Sequence, residues 1–228
     1  MWNLRKASVC ACTIGVILLG TSCSGDATQE EAVVSQKTVV QEAPDPFYES
    51  VKDKPAKERR EALQIHIDEG NVSKVLYFHL GNAAYESGDP AGGARAFEKA
   101  VELDETYFKA MVNLALMYDE QQQYPEAIEV FEKASLLDPE NPEVWSQMGN
   151  TYYAQRKYPI ATGYYRKALE IESEAPHALY SMGVAFADAG MFREAVNYWS
   201  RVTKAEPESE LGKSAGENVE LLQKYLIP

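Results

Sequence analysis

The chain has 228 residues, with 35 Asp and Glu against 22 Lys and Arg, a formal net charge of −13. So acidic a chain is repelled by nucleic-acid phosphates and by anionic lipid headgroups, which argues against a nucleic-acid partner and against electrostatic membrane binding. Its length suits one domain with appendages.

The N-terminus reads as an export signal. Arg5 and Lys6 precede an apolar run, Ala7–Gly20, and no acidic residue occurs in residues 1–22. At 14 residues the run is shorter than the ~20 that span a bilayer as a helix. Gly20-Thr21-Ser22-Cys23 comes next. This resembles a bacterial lipoprotein processing site, with Gly20 where Leu is usual; an ordinary cleaved signal is the alternative. Cys10 and Cys12 would leave with residues 1–22, so Cys23 becomes the lone thiol and no intrachain disulfide can form. The mature chain would carry 20 basic and 35 acidic side chains, a net of −15. Acylation of Cys23, palmitate included, would explain the thiol and give a firm anchor. Ser24 and Gly25 succeed it, with no Asp directly after, which points to the outer membrane facing the periplasm.

Residues 23–55 read as a lipidated cysteine and a disordered linker, rich in Gln, Glu, Ser and Thr with Pro44, Pro46 and Pro55. Phe47-Tyr48 is an apolar spot that could dock on the domain. Residues 56–72 hold a helix over Ala56–Glu69, stopped by Gly70-Asn71, which packs ahead of the central segment. Residues 210–228 form a last helix, apolar along Leu211, Ala215, Val219, Leu222 and Leu226 and polar on its other face.

Between them the sequence repeats with a period of 34, as in 115 − 81 = 34. Gly81, Ala115, Gly149 and Gly183 form a small column. Tyr77, Met111, Trp145 and Leu179 form a large one, as do Phe97, Phe131, Tyr165 and Trp199. Gly93, Ala127, Ala161 and Ala195 form a second small column, and Ala100, Ala134, Ala168 and Val202 a third. A phase lock without insertion means one helix–turn–helix unit stacked on copies of itself. The third copy, Trp145, Met148, Gly149, Tyr152, Ala161, Tyr165 and Ala168, resembles the tetratricopeptide repeat. The first copy is looser, with Ala84 in an aromatic column and Glu105 in place of Pro. The resemblance implies an all-α, right-handed helix–turn–helix solenoid. Its four units would be residues 74–107, 108–141, 142–175 and 176–209, between the N-terminal helix and a C-terminal capping helix.

The residues offer no catalytic chemistry. His66, His79 and His177 do not pair at metal-ligand spacing, and no nucleophile–base or phosphate-cradling pattern occurs. No catalytic residue, metal or cofactor is expected, and the chain does not read as an enzyme. His79 is expected on the surface or lining a groove.

The resemblance implies a concave groove lined by first-helix residues outside the core. Carried onto this chain these are Phe78, Asn82 and Tyr85; Val112, Leu116 and Asp119; Ser146, Asn150 and Tyr153; Tyr180, Val184 and Ala187. Where one subgroup of the family places cations that grip a terminal carboxylate, this chain has Phe78, Val112, Ser146 and Tyr180. The groove therefore suits an apolar or aromatic protein or peptide. Acidic Glu86, Asp119, Glu120, Glu143 and Asp188 near its edges favour a neutral to basic one. The expected role is a membrane-anchored scaffold or adaptor in envelope complex assembly. The alternative is a self-associating structural protein of the envelope.

Overall fold

A computed structural model describes residues 45–226, which form eleven helices with no strand among the described residues. They are α1 (Pro46–Val51), α2 (Ala56–Asp68), α3 (Lys74–Glu86), α4 (Pro90–Leu103), α5 (Phe108–Glu120), α6 (Tyr124–Leu137), α7 (Pro142–Ala154), α8 (Tyr158–Ile171), α9 (Pro176–Asp188), α10 (Phe192–Ala205) and α11 (Glu210–Leu226). Cys23, the export signal, the linker up to residue 44 and the final Ile227-Pro228 lie outside the described residues.

Helices α3 to α10 form four hairpins, each a first helix packed on the second helix that succeeds it. Local chemistry sets their ends. The side chains of Ser73, Asp89 and Asn141 accept backbone N–H groups at the starts of α3, α4 and α7. Pro sits in the first turn of α4, α6, α7, α8 and α9, where its missing N–H costs nothing. Each turn inside a hairpin places one residue at positive φ: Gly88, Gln122, Arg156 and Gly190, again one period apart.

The repeated columns are the hairpin cores. Phe97, Phe131, Tyr165 and Trp199 are at most 1 % exposed. Each lies against the small column of its own first helix. A Cβ on Gly81 would stand 2.6 Å from the Phe97 ring, and one on Gly149 or Gly183 would meet the ring of Tyr165 or Trp199. Ala115 does the same job beside Phe131 in the second hairpin, within one buried cluster. Ala100, Ala134, Ala168 and Val202 are wholly buried where one unit meets the next.

The period runs on past the four hairpins. Helix α2 starts at Ala56 and α4 at Pro90, one period apart, and Leu63 fills the column of Phe97 and is wholly buried. Helix α11 starts at Glu210, one period after the Pro176 that opens α9, and packs on α9 and α10. The stack thus opens on a second helix and closes on a first helix.

Residues 45–55 depart from the linker expectation, because they are docked. Asp45 accepts from the backbone N–H groups of Phe47 (2.9 Å) and Tyr48 (3.0 Å), and Pro46 opens α1. The Phe47 ring stacks on His66 at 3.7 Å and Tyr48 stacks on His79 at 3.4 Å. Val51 is buried with Leu63, Ile67, Leu76 and Leu80. Few residues suffice here because two aromatic rings and a capped proline carry the contact. His79 is half-buried beneath Tyr48, and its Nδ1 is enclosed without a partner.

The small column is testable by paired substitutions. Gly149→Val drives a side chain into Tyr165 and lowers stability by about 1–3 kcal/mol. Gly163→Ala, in the exposed middle of α8 with nothing within 4 Å, raises it by about 0.5–1 kcal/mol. Thermal melts of the two variants must move in opposite directions; a common direction refutes the account of the small column.

Acid should loosen the docked end. Burial, against the pull of Asp45, pushes His79 from 6.5 down to about 4. Between those values the unfolded chain binds the proton and the folded one does not, so stability falls as pH drops from about 6.5 to about 4. His79→Phe removes that contribution while keeping a ring under Tyr48. Denaturant midpoints at pH 7 and pH 5 should separate less in the variant than in the parent; equal separation refutes it.

Candidate partner-binding face

The first helices lie closer to one another than the second helices do. Helix α5 touches α7, α7 touches α9 and α9 touches α11, whereas no two second helices make a comparable contact among the described residues. A stack bends toward the side where its elements are closest, so the first helices line the inside of the curve.

Polar side chains lace this row together. Asn113 of α5 donates to Asn82 of α3 (3.1 Å). His177 of α9 pairs with Glu143 of α7 at 2.8 Å. Ser181 of α9 and the Tyr165 hydroxyl both donate to Asn150 Oδ1 at 2.9 Å, while Asn150 Nδ2 donates to Gln147 (3.1 Å). The Tyr153 hydroxyl donates to Asp188 of α9. The Tyr180 hydroxyl bonds Ser214 of α11 at 2.9 Å and accepts from Asn218 at 3.3 Å.

These contacts shift the ionisable groups. His177 is raised by its hydrogen bond to Glu143. Glu143 is lowered: burial opposes ionisation, and the bonds from His177 and Gln147 outweigh it. Burial raises the Tyr153 hydroxyl, and its bond to Asp188 adds to the effect. Burial also raises the Asp119 carboxyl, with Thr151 working the other way, and Asp119 Oδ1 is enclosed with no hydrogen-bond partner.

The expected lining residues divide accordingly. Asn82, Val112, Leu116, Asp119, Asn150, Tyr153, Tyr180 and Val184 are half-buried on this row. Phe78 and Tyr85 are half-buried too, and they pack against the hairpin cores, Phe78 5.8 Å from Phe97 and 5.5 Å from Tyr107, just as Val112, Leu116, Tyr153, Tyr180 and Val184 rest their inner sides on those cores. Ala187 packs beside Trp199. Ser146 corrects the expectation. It is 1 % exposed and its hydroxyl donates to the Pro142 carbonyl one turn back in α7, so it presents nothing to a partner. Tyr180 is on the row, but its hydroxyl is spent holding α11. Glu86 is held by Arg59 of α2.

Sequence reasoning passed over His177, Gln147 and Ser181 as groove residues. They stand one place after, or three before, the positions it chose, and Gln147 and Ser181 are one period apart, as are Glu143 and His177. That period is common to every position of the repeat, so it carries no signal that singles them out. Among the described residues no three His, Cys, Asp or Glu side chains gather as metal ligands, and no helix is long and apolar enough to cross a membrane.

Models of the tetratricopeptide repeat match residues 75–107, 96–129, 142–175 and 177–209, and a model described as TPR repeat matches residues 115–155. No curated protein matches by sequence. The crystal structure of MamA superposes with a TM-score of 0.62 at 20 % identity, covering 73 % of this chain and 97 % of that one. MamA 41-end from Desulfovibrio magneticus RS-1 gives 0.61 at 16 % identity, covering 72 % and 93 %. YrrB, a TPR protein with an unusual peptide-binding site, gives 0.51 at 24 % identity, covering 73 % and 84 %. The likeness to these structures concerns the fold, and with four consecutive units matched across residues 75–209 the chain belongs to the tetratricopeptide repeat family.

Proposed function

We propose that this chain is a lipid-anchored, non-catalytic scaffold that holds a protein or peptide partner on the row of first helices during assembly of a bacterial envelope complex. The observation that carries the reading is that row. Val112, Leu116 and Val184 are half-buried, and the polar side chains around them are tied to one another. A partner there meets a pre-organised face whose groups need little ordering, which lowers the entropic cost of binding. The apolar members favour an apolar or aromatic contact. YrrB is described as having a peptide-binding site, and this chain shares its fold.

Anchoring rests on the sequence. Residues 1–22 direct export, and Cys23 carries the acyl chains, palmitate among them. The chain leading to α1 then tethers the repeats at the periplasmic face of the outer membrane. Metabolic palmitate labelling of the full-length protein tests this arm. Label is expected on the parent and absent from Cys23→Ser; label retained by the variant removes the lipoprotein reading.

The scaffold arm is tested by a photoreactive residue at Leu116, on the row, against one at Leu136, which is 83 % exposed on α6. Irradiation of envelope extracts should give one stoichiometric adduct from position 116 and none from 136. The same adduct from both positions, or none from 116, rejects the row as the partner face.

A further inference from the structure

The chain has a net charge of −13, yet part of its outer side is positive. Helices α8 and α10, the second helices of adjacent units, carry Arg166, Lys167, Arg193, Arg201 and Lys204 against two glutamates, five cations to two carboxylates and a net of +3. The corresponding helices α4 and α6 carry three cations against five carboxylates, a net of −2. A field opposite in sign to the whole, confined to two neighbouring helices, selects what approaches them. Arg201 is partly spent, because it pairs with Glu174 at 2.7 Å and donates to the Ser173 carbonyl at 2.6 Å. Lys167 lies over the Trp145 ring at 3.3 Å. Arg166 and Arg193 are exposed and make no ion pair with any described residue, and Lys204 reaches Glu174 only through space.

A cavity coincides with this charge. It is open, has a volume of about 420 Å³, and is lined by Phe186, Arg193, Glu194, Asn197, Tyr198 and Arg201. Phe186 and Tyr198 are half-buried and stack at 5.3 Å with their planes 13° apart, so they make an apolar floor. Arg193, Glu194 and Asn197 are exposed and make the rim. The Arg201 guanidinium stands 6.0 Å from the Tyr198 ring centre, and its bonds to Glu174 and Ser173 hold it there. The same columns match one period earlier, where Tyr152 and Tyr164 stack at 5.3 Å and Lys167 caps the neighbouring Trp145. In the second unit the pattern fails: Val130 replaces the second ring, and the Tyr118 hydroxyl donates to Glu98. Stacked rings and an excess of cations therefore occur together in the third and fourth units. A guanidinium takes a carboxylate through two parallel hydrogen bonds, and a half-buried ring pair takes a further ring edge-on or offset. A flat lipid surface would meet the rim and miss the floor.

We infer that the outer side of α8 and α10 is a second docking surface, which takes an acidic segment of a protein, with an aromatic side chain on Phe186 and Tyr198 and a carboxylate on Arg193. Arg166, Lys167 and Lys204 supply the field that draws the segment in. The surface belongs to the second helices, on the outside of the curve, so it is separate from the row of first helices and does not depend on what that row holds.

The test uses the full chain in detergent and a fluorescent dodecapeptide of Glu, Phe and Ala, compared with a counterpart in which Gln replaces Glu and removes the charge. Anisotropy should show the Glu peptide binding about tenfold more tightly, the scale of one charge-assisted hydrogen bond, and weakening as salt rises. Arg166→Gln with Arg193→Gln should abolish that advantage. Lys99→Gln with Lys133→Gln, on α4 and α6, removes the same charge and should keep it. All four positions are exposed, so both double variants should melt with the parent. Equal binding of the two peptides, or equal loss in the two double variants, overturns the inference. Displacement of the Glu peptide by phosphatidylglycerol added to the micelles at the peptide's own concentration assigns the positive surface to a membrane and overturns it as well. The adduct at position 116 is read separately, so the row of first helices survives either outcome.

Discussion

The contact on which the structure depends is an aromatic ring laid on a residue with almost no side chain. Phe97 over Gly81, Tyr165 over Gly149 and Trp199 over Gly183 bring each pair of helices close enough to exclude everything else between them. Interiors packed to crystal-like density tolerate neither a void nor an added methyl without a shift. The closeness of each hairpin is thus set by one pair, and like hairpins stack at like offsets. The ordered row of first helices, and any surface it forms, is a consequence of that repetition. Ala115 beside Phe131 shows that one hairpin of the four accommodates a methyl at this position.

A stack of this kind has two ends that must stop without exposing a core face. Here the same period supplies both stops. Helix α2 is in phase with the second helices and α11 with the first helices, so each end is half a unit. The half-units are secured differently. At the N-terminal end α1 adds two ring-on-imidazole stacks and the buried Val51. At the C-terminal end the Tyr180 hydroxyl fastens α11 through Ser214 and Asn218, while Ala215 and Leu222 fill the Trp199 cluster. One end is thus held by stacked rings and the other by hydrogen bonds over a small apolar core.

The period made the repeats legible from residue order alone, because every core column is a buried contact and buried contacts constrain residue size. It made the partner face legible only coarsely. A helix face is about 100° wide, and neighbouring positions share its margin. Ser146 and Gln147 sit side by side in sequence; one is buried and bonds back to Pro142 of its own helix, and the other bonds Asn150 and Glu143 on the row. No periodicity separates them, since both positions recur with the same period and neither is constrained in size. The docking of α1 was legible only as an apolar spot at Phe47-Tyr48, without its partners. Its two rings find imidazoles well down the chain, at His66 in α2 and His79 in α3, and such a pairing leaves no repeating trace.

Two of the hairpin turns break a local backbone rule that the other two keep. Of the four hairpin turns, those at 88 and 190 place glycine at positive φ, but those at 122 and 156 place Gln and Arg there. An L-residue in that conformation costs about 1–2 kcal/mol, and glycine would remove the steric part of it. The same two turns come after α5 and α7, whose ends hold Asp119, Glu120 and Tyr153. Departures that stability does not explain are where selection for another property is expected to act. Gln122 and Arg156 stand just past the ends of α5 and α7, at one margin of the row of first helices.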